Sequence, residues 1–251
     1  MKVEEMVHNL DNLTTFYNRH YRFQYGAHSS RWIIAGAPPD VHLSLEMFTH
    51  EFPQISVIAR FEPTRRSKPN HAIKMPVINL ASHLDSANYE SPQGKTVYLS
   101  VEVKACRMKG LLRSVVEFHW YATEEGGLLG SQDIVSEYVY QRRDIGAMIQ
   151  FDMTAYVHKN TTPTMTFITN NVDTPLTNWT MKLATEYSSS PVTGAELFPG
   201  GVSDHLSWHR AGVPVVCATE SDPGRTPNPY IHTVDDRTVV KEGEFSFTVR
   251  N

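Results

Sequence analysis

The arrangement of short apolar runs is the feature of this sequence that most restricts its fold. Five runs have the length of a buried strand and are bounded by turn-forming residues, and segments with helical spacing lie between them. The five runs are PVINLASHLDS, SVVEFHWYATEE, IGAMIQFDMTAY, TMTFITN and GVPVVCATES. Apolar strands that alternate with helices are typical of a parallel sheet covered on both faces. We therefore predict a single-domain α/β fold, a mostly parallel twisted sheet with helices on both faces.

The segments between the runs predict the helices. Residues 14–36 have mostly helical spacing and precede an extended segment over 48–63. Two further helices are predicted at 128–143, with Ile134, Val135 and Tyr138 on one face, and at 174–190, with Trp179, Leu183 and Tyr187 on one face. Residues 95–114 fit a helical stripe or an alternating strand, and the helix is favoured because a parallel crossover needs a dozen or more residues. The polar, proline-bounded segment 63–76 is predicted to be a loop.

Composition excludes several classes of partner. The chain has 251 residues, of which 40% are hydrophobic, enough for one substantial core. No apolar stretch approaches the length of a membrane span, and a net charge of −4 argues against nucleic acid, whose binders need a basic face. The two cysteines, Cys106 and Cys217, are too few for a disulfide framework and are expected to be buried and unpaired. We expect a monomer.

The N-terminal segment and the glycosylation sequons bear on the compartment. Residues 1–21 carry acidic groups and lack the apolar core of a signal peptide. Sequons at Asn12, Asn160 and Asn178 favour secretion, although such triplets also arise by chance.

The strand ends predict the location of the chemistry. In open α/β sheets, ligands bind beyond the carboxyl ends of the strands. Imidazole and carboxylate groups follow the apolar runs there: His83, Asp85, Glu124, Glu125, Asp152, Asp204, His205, His232, Asp235 and Asp236. This ligand mixture suits catalytic zinc. Any one of these residues alone is more often a cap or a turn former, but two adjacent glutamates are explained if one binds a cation and the other is a general base.

Five motifs, in order, resemble those of a known family. ASHLDS, VEFHWYATEEGGLLGS, QFDMT, VSDHLSW and NPYIHTVDD are similar to the secreted two-zinc aminopeptidases related to fungal leucine aminopeptidase. The similarity runs from about Phe16 to about Thr238. It implies a secreted, zinc-dependent exopeptidase that removes N-terminal residues from peptides with a free N-terminus.

The resemblance also implies a role for each matched residue. The metal ligands that it implies are His83 with Asp152 for one zinc ion and Glu125 with His232 for the other. Asp85 matches the carboxylate that orients the first imidazole, a role that fixes the tautomer of a ligand without contact to metal. Glu124 matches the general base or acid. Asp204 and His205 are expected only to shape the site.

One family segment has no counterpart in this sequence. The family carries a stretch of the form GADDDGSG, whose middle carboxylate bridges both zinc ions, whereas this chain runs from HLDSANYESPQG directly to KTVYLSVEVKA. Each zinc would then keep two protein ligands, where catalytic zinc typically has about three plus water. We therefore expect single or weak zinc occupancy. Glu90 and Glu102 are candidate substitutes, and no spacing selects either.

The same departure leaves the completeness and the activity of the chain open. We expect one domain over residues 1–251 that is incomplete at its N-terminus, at its C-terminus and between 88 and 97, either through misplaced coding boundaries or because the chain is a degenerate relative. The alternative to a peptidase is a catalytically silent relative that acts as a binding or structural module. A weaker alternative is a one-zinc cyclase that acts on N-terminal glutamine. The preferred N-terminal residue of a substrate is not predicted.

Overall fold

The computed structural model describes residues 3–37, 43–63, 75–89, 91, 94, 112, 114–154, 156–220, 222–236 and 244–245. The helices in these ranges are α1 (Val3–Thr14), α2 (Gln24–Ala35), α3 (Leu129–Tyr140), α4 (Thr174–Tyr187) and α5 (His205–Arg210). The strands are β1 (Leu43–Phe48), β2 (Ser56–Phe61), β3 (Val77–His83), β4 (Val116–Tyr121), β5 (Ile145–Phe151), β6 (Tyr156–Val157), β7 (Met165–Ile168), β8 (Val192–Ala195), β9 (Val215–Thr219) and β10 (Glu244–Phe245).

Eight of these strands form one mixed sheet in the order β1-β2-β4-β3-β5-β9-β7-β8, and β10 pairs with β6 separately. The centre of the sheet is parallel, because β3 pairs with both β4 and β5, and β5 pairs with β9. Antiparallel pairs lie outside it, β1 with β2, β2 with β4 and β7 with β9. The predicted fold class is confirmed, with parallel pairing across the central strands β4-β3-β5-β9 and again between β7 and β8 at one edge.

Helices cover both faces of this sheet, as predicted. Along β2, Ile58 packs in a cluster with Ile134 of α3 and Trp208 of α5. Its neighbour Val57 faces the opposite side and packs in a cluster with Leu13 of α1. This alternation follows from the two-residue period of a strand. Each buried aliphatic or aromatic side chain contributes about 1.5–3 kcal/mol relative to an exposed one.

Two details of the predicted helices were wrong. The segment 14–36 is not one helix, because residues between α1 and α2 turn so that the buried Arg19 guanidinium donates to the carbonyls of Leu84 and Leu13, at 3.0 Å each. In α4, Trp179 and Tyr187 are 56% and 69% exposed.

The helix α4 instead contacts the sheet through Leu176, Met181 and Ala184, which pack around Phe167 and Val216. This helix has two apolar stripes, the predicted one with Trp179 and Tyr187 and another that begins at Leu176. The stripe that begins at Leu176 faces the sheet. The capping bond from the Leu176 amide to the Asp173 carboxylate, at 2.8 Å, fixes the first turn of the helix.

Other predictions have mixed outcomes. Cys217 is buried and unpaired, as predicted. Cys106, Glu90, Glu102, most of the crossover segment 95–114 and most of the loop 63–76 lie outside the described residues. Within the described ranges, no helix combines the length and the apolar character that a bilayer crossing requires.

A buried carboxylate, Glu117, joins β4 to its neighbours far from the strand ends that carry the candidate site. It accepts hydrogen bonds from Arg60 at 2.7 Å, from Tyr138 at 2.9 Å and from His119 at 3.0 Å. Burial alone would raise the pKa of Glu117, but the hydrogen bond and charge of His119 and the other two donors lower it to about 2, from an ordinary 4.5. The ionised form is therefore the one that stabilises the fold.

We predict that Glu117→Gln destabilises the protein by about 3 kcal/mol at pH 7. The folded pKa lies below the unfolded value, so this contribution is complete above pH 4.5 and is lost as the pH falls toward 2. Urea unfolding of the unsubstituted protein and of Glu117→Gln, at pH 7 and at pH 3, measures the difference in the free energy of unfolding. Glu62→Gln is the matched control, since Glu62 also accepts from Arg60 at 2.7 Å but is half-exposed, and it should cost less than about 1 kcal/mol. Equal effects of the two variants at pH 7 would contradict the prediction.

Candidate metal centre

The predicted site residues lie at one edge of the sheet. His83 is the last residue of β3 and pairs in parallel register with Tyr121, the last residue of β4. Asp85 follows β3, Glu124 follows β4, and Asp152 follows β5, which pairs with the other side of β3. Because these strands are parallel, their carboxyl ends meet, and side chains from distant parts of the sequence come together.

Asp85 holds the turn that carries the adjacent glutamates. Its two buried carboxylate oxygens accept the backbone amides of Glu124 at 2.9 Å and Glu125 at 3.1 Å. One of these oxygens also lies 3.4 Å from Nδ1 of His83. Asp85 therefore links the end of β3 to the turn after β4 and lies next to His83 as well as to both glutamates.

The glycines after the glutamates are explained by this turn. The amide of Gly127 donates to the Glu124 carbonyl at 3.0 Å, and Gly127 has a φ of 103°, which L side chains rarely adopt. A Cβ on Gly130 would lie 2.1 Å from the carbonyl oxygen of Ala122, so only glycine lets the start of α3 approach the end of β4 this closely. Thr123, between strand and turn, has a φ of 61°.

His83 and Asp152 form the first imidazole–carboxylate pair. Nε2 of His83 lies 3.3 Å from Oδ1 of Asp152, about the spacing of two atoms bound to one tetrahedral ion at about 2.0 Å each. Burial alone would lower the pKa of His83, but the charge and hydrogen bond of Asp152 raise it well above its usual value. Burial would raise the pKa of Asp152, yet His83 and further hydrogen bonds lower it to about 2. His83 and Asp152 thus stabilise each other's charged forms.

Glu125 and His232 form the second pair. Nε2 of His232 lies 2.9 Å from each carboxylate oxygen of Glu125. Tyr89 was not predicted from the sequence: its hydroxyl donates to Glu125 at 3.0 Å, and its ring centroid lies 4.1 Å from that of His232. Burial and the neighbouring carboxylates raise the pKa of Tyr89, so the phenol stays a neutral donor.

Glu124 lies between the two pairs. One donor atom from each of His83, Glu124 and Glu125 falls within 4.8 Å of the others. Desolvation raises the pKa of Glu124 well above its ordinary value, and the charges of Asp152 and Glu125 raise it further, against the opposing effect of His83. Nitrogen and oxygen donors at this spacing, with carboxylates that repel each other, fit a divalent cation that accepts both kinds of ligand.

The remaining predicted residues support the site from outside this group. Asp204 and His205 are buried at the start of α5. Burial raises the pKa of Asp204 to about 8 and lowers that of His205 to about 4, so both side chains are mainly neutral at pH 7. Asp236 is buried and accepts from Asn228 at 2.9 Å, which stabilises the loop that presents His232, whereas Asp235 is exposed.

A cavity of about 460 Å³ opens onto the carboxylates of Glu124, Glu125 and Asp152. Much of the rest of its wall is apolar, formed by Met153, Ile168, Leu197, Phe198 and Ile231. A cavity of this kind can bury one side chain next to the polar groups.

Comparison with known proteins places the chain among peptidases. The sequence profile of peptidase family M28 matches residues 57–242. Leucine aminopeptidase 1 of Phaeosphaeria nodorum is 34% identical over 94% of this chain and 65% of its own length. Leucine aminopeptidase 1 of Aspergillus fumigatus is 34% identical over 93% of the chain, again 65% of its own length. The chain thus spans 65% of the length of these relatives.

Solved structures show the same fold. The LapA aminopeptidase of Legionella pneumophila superposes with a TM-score of 0.76 at 25% identity, over 94% of this chain and 67% of that one. The glutaminyl cyclase of Fimbriiglobus ruber superposes with a TM-score of 0.65 at 14% identity, over 93% of this chain and 87% of that one. The second likeness shows the fold alone.

Proposed function

The chain belongs to peptidase family M28, and on that premise we propose that it is a zinc-dependent aminopeptidase that removes N-terminal residues from peptides. The observation that carries this proposal is the juxtaposition of two imidazole–carboxylate pairs with Glu124 between them. The likeness to two fungal leucine aminopeptidases supports the reaction class.

His83 with Asp152, and Glu125 with His232, are the residues proposed to hold zinc. Bound zinc would supply Lewis acidity, which lowers the pKa of water and polarises a peptide carbonyl. Among the described residues, ligand atoms of His83, from the first pair, and of Glu125, from the second, form one cluster with a ligand atom of Glu124. We therefore propose single or weak occupancy, because Glu124 is needed for proton transfer and is not free to bridge two ions.

Glu124 is the proposed general base and acid. It takes a proton from the attacking water and returns it to the leaving amine, so the carboxyl group ends the cycle as it began. The bond from its backbone amide to Asp85 holds the residue before substrate arrives. Preorganisation of this kind means that little reorganisation is needed during the reaction.

The cavity is the proposed site for the N-terminal residue of the substrate. Its apolar wall favours an apolar side chain, at about 0.8 kcal/mol per buried methylene. The free α-amino group is a cation, and the carboxylates at the wall of this cavity attract it. An acetylated N-terminus has no such charge and is larger.

Turnover of aminoacyl substrates tests the proposed function. Zinc-loaded protein should release p-nitroaniline from leucine p-nitroanilide, and the N-acetyl derivative should react at least about 100-fold more slowly, because losing a charged hydrogen bond at a desolvated site costs about 3 kcal/mol. Equal rates for both substrates would contradict an aminopeptidase. No release by folded, zinc-bound protein would contradict the proposal and select the alternative function.

The alternative is a catalytically silent binding or structural module. It is favoured by one observation, that each pair offers two protein ligands where catalytic zinc typically has about three. A glutaminyl cyclase finds no support beyond the shared fold. Conversion of peptides with an N-terminal glutamine to their cyclic form, measured in a separate assay, would be needed to support that activity.

Secretion and glycosylation remain proposals. Asn160 and Asn178 are exposed, so both sequons are accessible to a glycosylating enzyme, whereas Asn12 is half-buried and its side chain donates to the His8 carbonyl at 2.9 Å. The monomeric state stays a prediction, as do peptides as the partner class.

A further inference from the structure

A hydrogen-bonded chain of three polar side chains runs from the surface to a point next to the candidate metal centre. Nδ1 of His50 lies 2.7 Å from Oδ2 of Asp133, and Nε2 of His50 lies 2.8 Å from Oγ of Ser56. The hydroxyl of Ser56 also accepts the backbone amide of Ala122 at 2.9 Å. These residues belong to three separate parts of the fold: the segment between β1 and β2, the start of β2, and α3.

Serine, histidine and aspartate in this order resemble a nucleophilic triad, but Ser56 cannot act as a nucleophile here. The residue is 0% exposed, and its oxygen faces the backbone of Ala122, so no substrate can reach it. The imidazole of His50 is also buried and stacks on the ring of Phe52, at 4.7 Å between centroids and 11° between planes.

The direction of each hydrogen bond follows from the groups whose role is fixed. The Asp133 carboxylate can only accept, so Nδ1 of His50 carries a proton that is directed at Asp133. In a neutral ring Nε2 then has no proton and accepts the hydroxyl proton of Ser56, whose oxygen accepts the Ala122 amide. Burial lowers the pKa of His50, against the opposing bond to Asp133, in keeping with a neutral ring.

The end of this chain lies where the glutamate-bearing turn begins. Ala122 is followed by Thr123, whose φ of 61° reverses the backbone, and then by Glu124. The carbonyl side of Ala122 is packed against Gly130 at the start of α3, and its amide side is held by Ser56. His50 also joins Ser56 to Asp133, one turn further along α3.

We propose that the Asp133–His50–Ser56 chain is a positioning device that fixes residues 122–125 and thereby the carboxylates of Glu124 and Glu125. Asp85 secures the turn from β3, and this chain secures it from β2 and α3. The effect on turnover rests on the proposed function, whereas the effect on the backbone of the turn does not.

Ser56→Ala tests the proposal by amide hydrogen exchange. Exchange of the amides in 122–125 should become about tenfold faster, the loss of roughly one hydrogen bond, and zinc affinity should fall about tenfold because Glu125 is less well oriented. In the active protein, kcat for leucine p-nitroanilide should fall about tenfold with KM nearly unchanged. Ser56→Thr keeps the hydroxyl, so its amide exchange, zinc affinity and kcat should stay close to those of the unsubstituted protein.

Two further variants separate positioning from general stability. Ser29→Ala removes an equally buried hydroxyl, which donates to the Gly26 carbonyl within α2 at 2.7 Å, and should leave exchange in 122–125 unchanged. Asp133→Ala changes the half-exposed side chain at the outer end of the hydrogen-bonded chain, and should accelerate hydrogen exchange of the amides in 122–125.

The outcomes distinguish this inference from the proposed function. Unchanged exchange in 122–125 for both Ser56→Ala and Asp133→Ala would overturn it, as would an equal effect of Ser29→Ala. Faster exchange with no turnover in the unsubstituted protein would support the positioning device and contradict the aminopeptidase. Turnover by the unsubstituted protein, together with unchanged exchange in the variants, would support the aminopeptidase and contradict the positioning device.

Discussion

Glu124→Gln is expected to reduce turnover of leucine p-nitroanilide by about 10²–10⁴-fold, the range over which a positioned general base contributes. Glutamine keeps the size of the side chain and the backbone bond to Asp85, but its amide cannot take a proton from water. Because Glu124 is not one of the four proposed zinc ligands, zinc content should stay within about twofold of the unsubstituted protein. Steady-state kinetics and metal analysis of the same sample measure the two quantities.

Glu51→Gln is the matched control for this variant, since Glu51 is exposed and lies outside the donor group. It should leave turnover unchanged. A Glu124→Gln protein that retains both zinc and full turnover would contradict the assignment of the base. A variant that loses zinc together with turnover would show instead that Glu124 is mainly a ligand.

Removal of zinc is expected to abolish turnover and to destabilise the fold. A ligand present at about 100 times its Kd stabilises the folded state by about 2.7 kcal/mol. That contribution should disappear on dialysis against a chelator and return when zinc is added. Thermal unfolding and turnover, measured before dialysis, after dialysis and after reconstitution, follow both effects.

Magnesium is the control cation for reconstitution. It prefers oxygen ligands in octahedral geometry, whereas His83 and His232 offer nitrogen, so magnesium should restore neither property. Full turnover in metal-free protein would contradict the metal-dependent mechanism, whatever the outcome for stability.

The central strands could be predicted from the sequence because they are buried. β4 has six buried residues in a row, and β9 has five, so both are rich in apolar residues, although β4 also buries Glu117 and His119. β1 was missed because four of its six residues are exposed at the edge of the sheet. The apolar face of α4 was misplaced because Trp179 and Tyr187 have helical spacing yet remain exposed, and pattern alone does not say which stripe meets the sheet.

The candidate site was predictable for a different reason. Strand ends are visible in the sequence, and a parallel sheet brings them to one edge, so His83, Glu124 and Asp152 could be placed together before any coordinates. His232 follows no strand of the described sheet and was found through its motif alone. The contacts of Tyr89 and of the Asp133–His50–Ser56 chain could not be predicted, because they depend on loops whose path no periodicity fixes.

Crystals of the protein soaked in zinc and measured at the zinc absorption edge provide the most direct test of the central claim. The predicted result is anomalous density at one or both pairs, about 2.0–2.2 Å from the donors of His83 and Asp152 or of Glu125 and His232. Zinc density only at surface histidines such as His158, with none at either pair, would contradict the claim that this sheet edge is a metal centre.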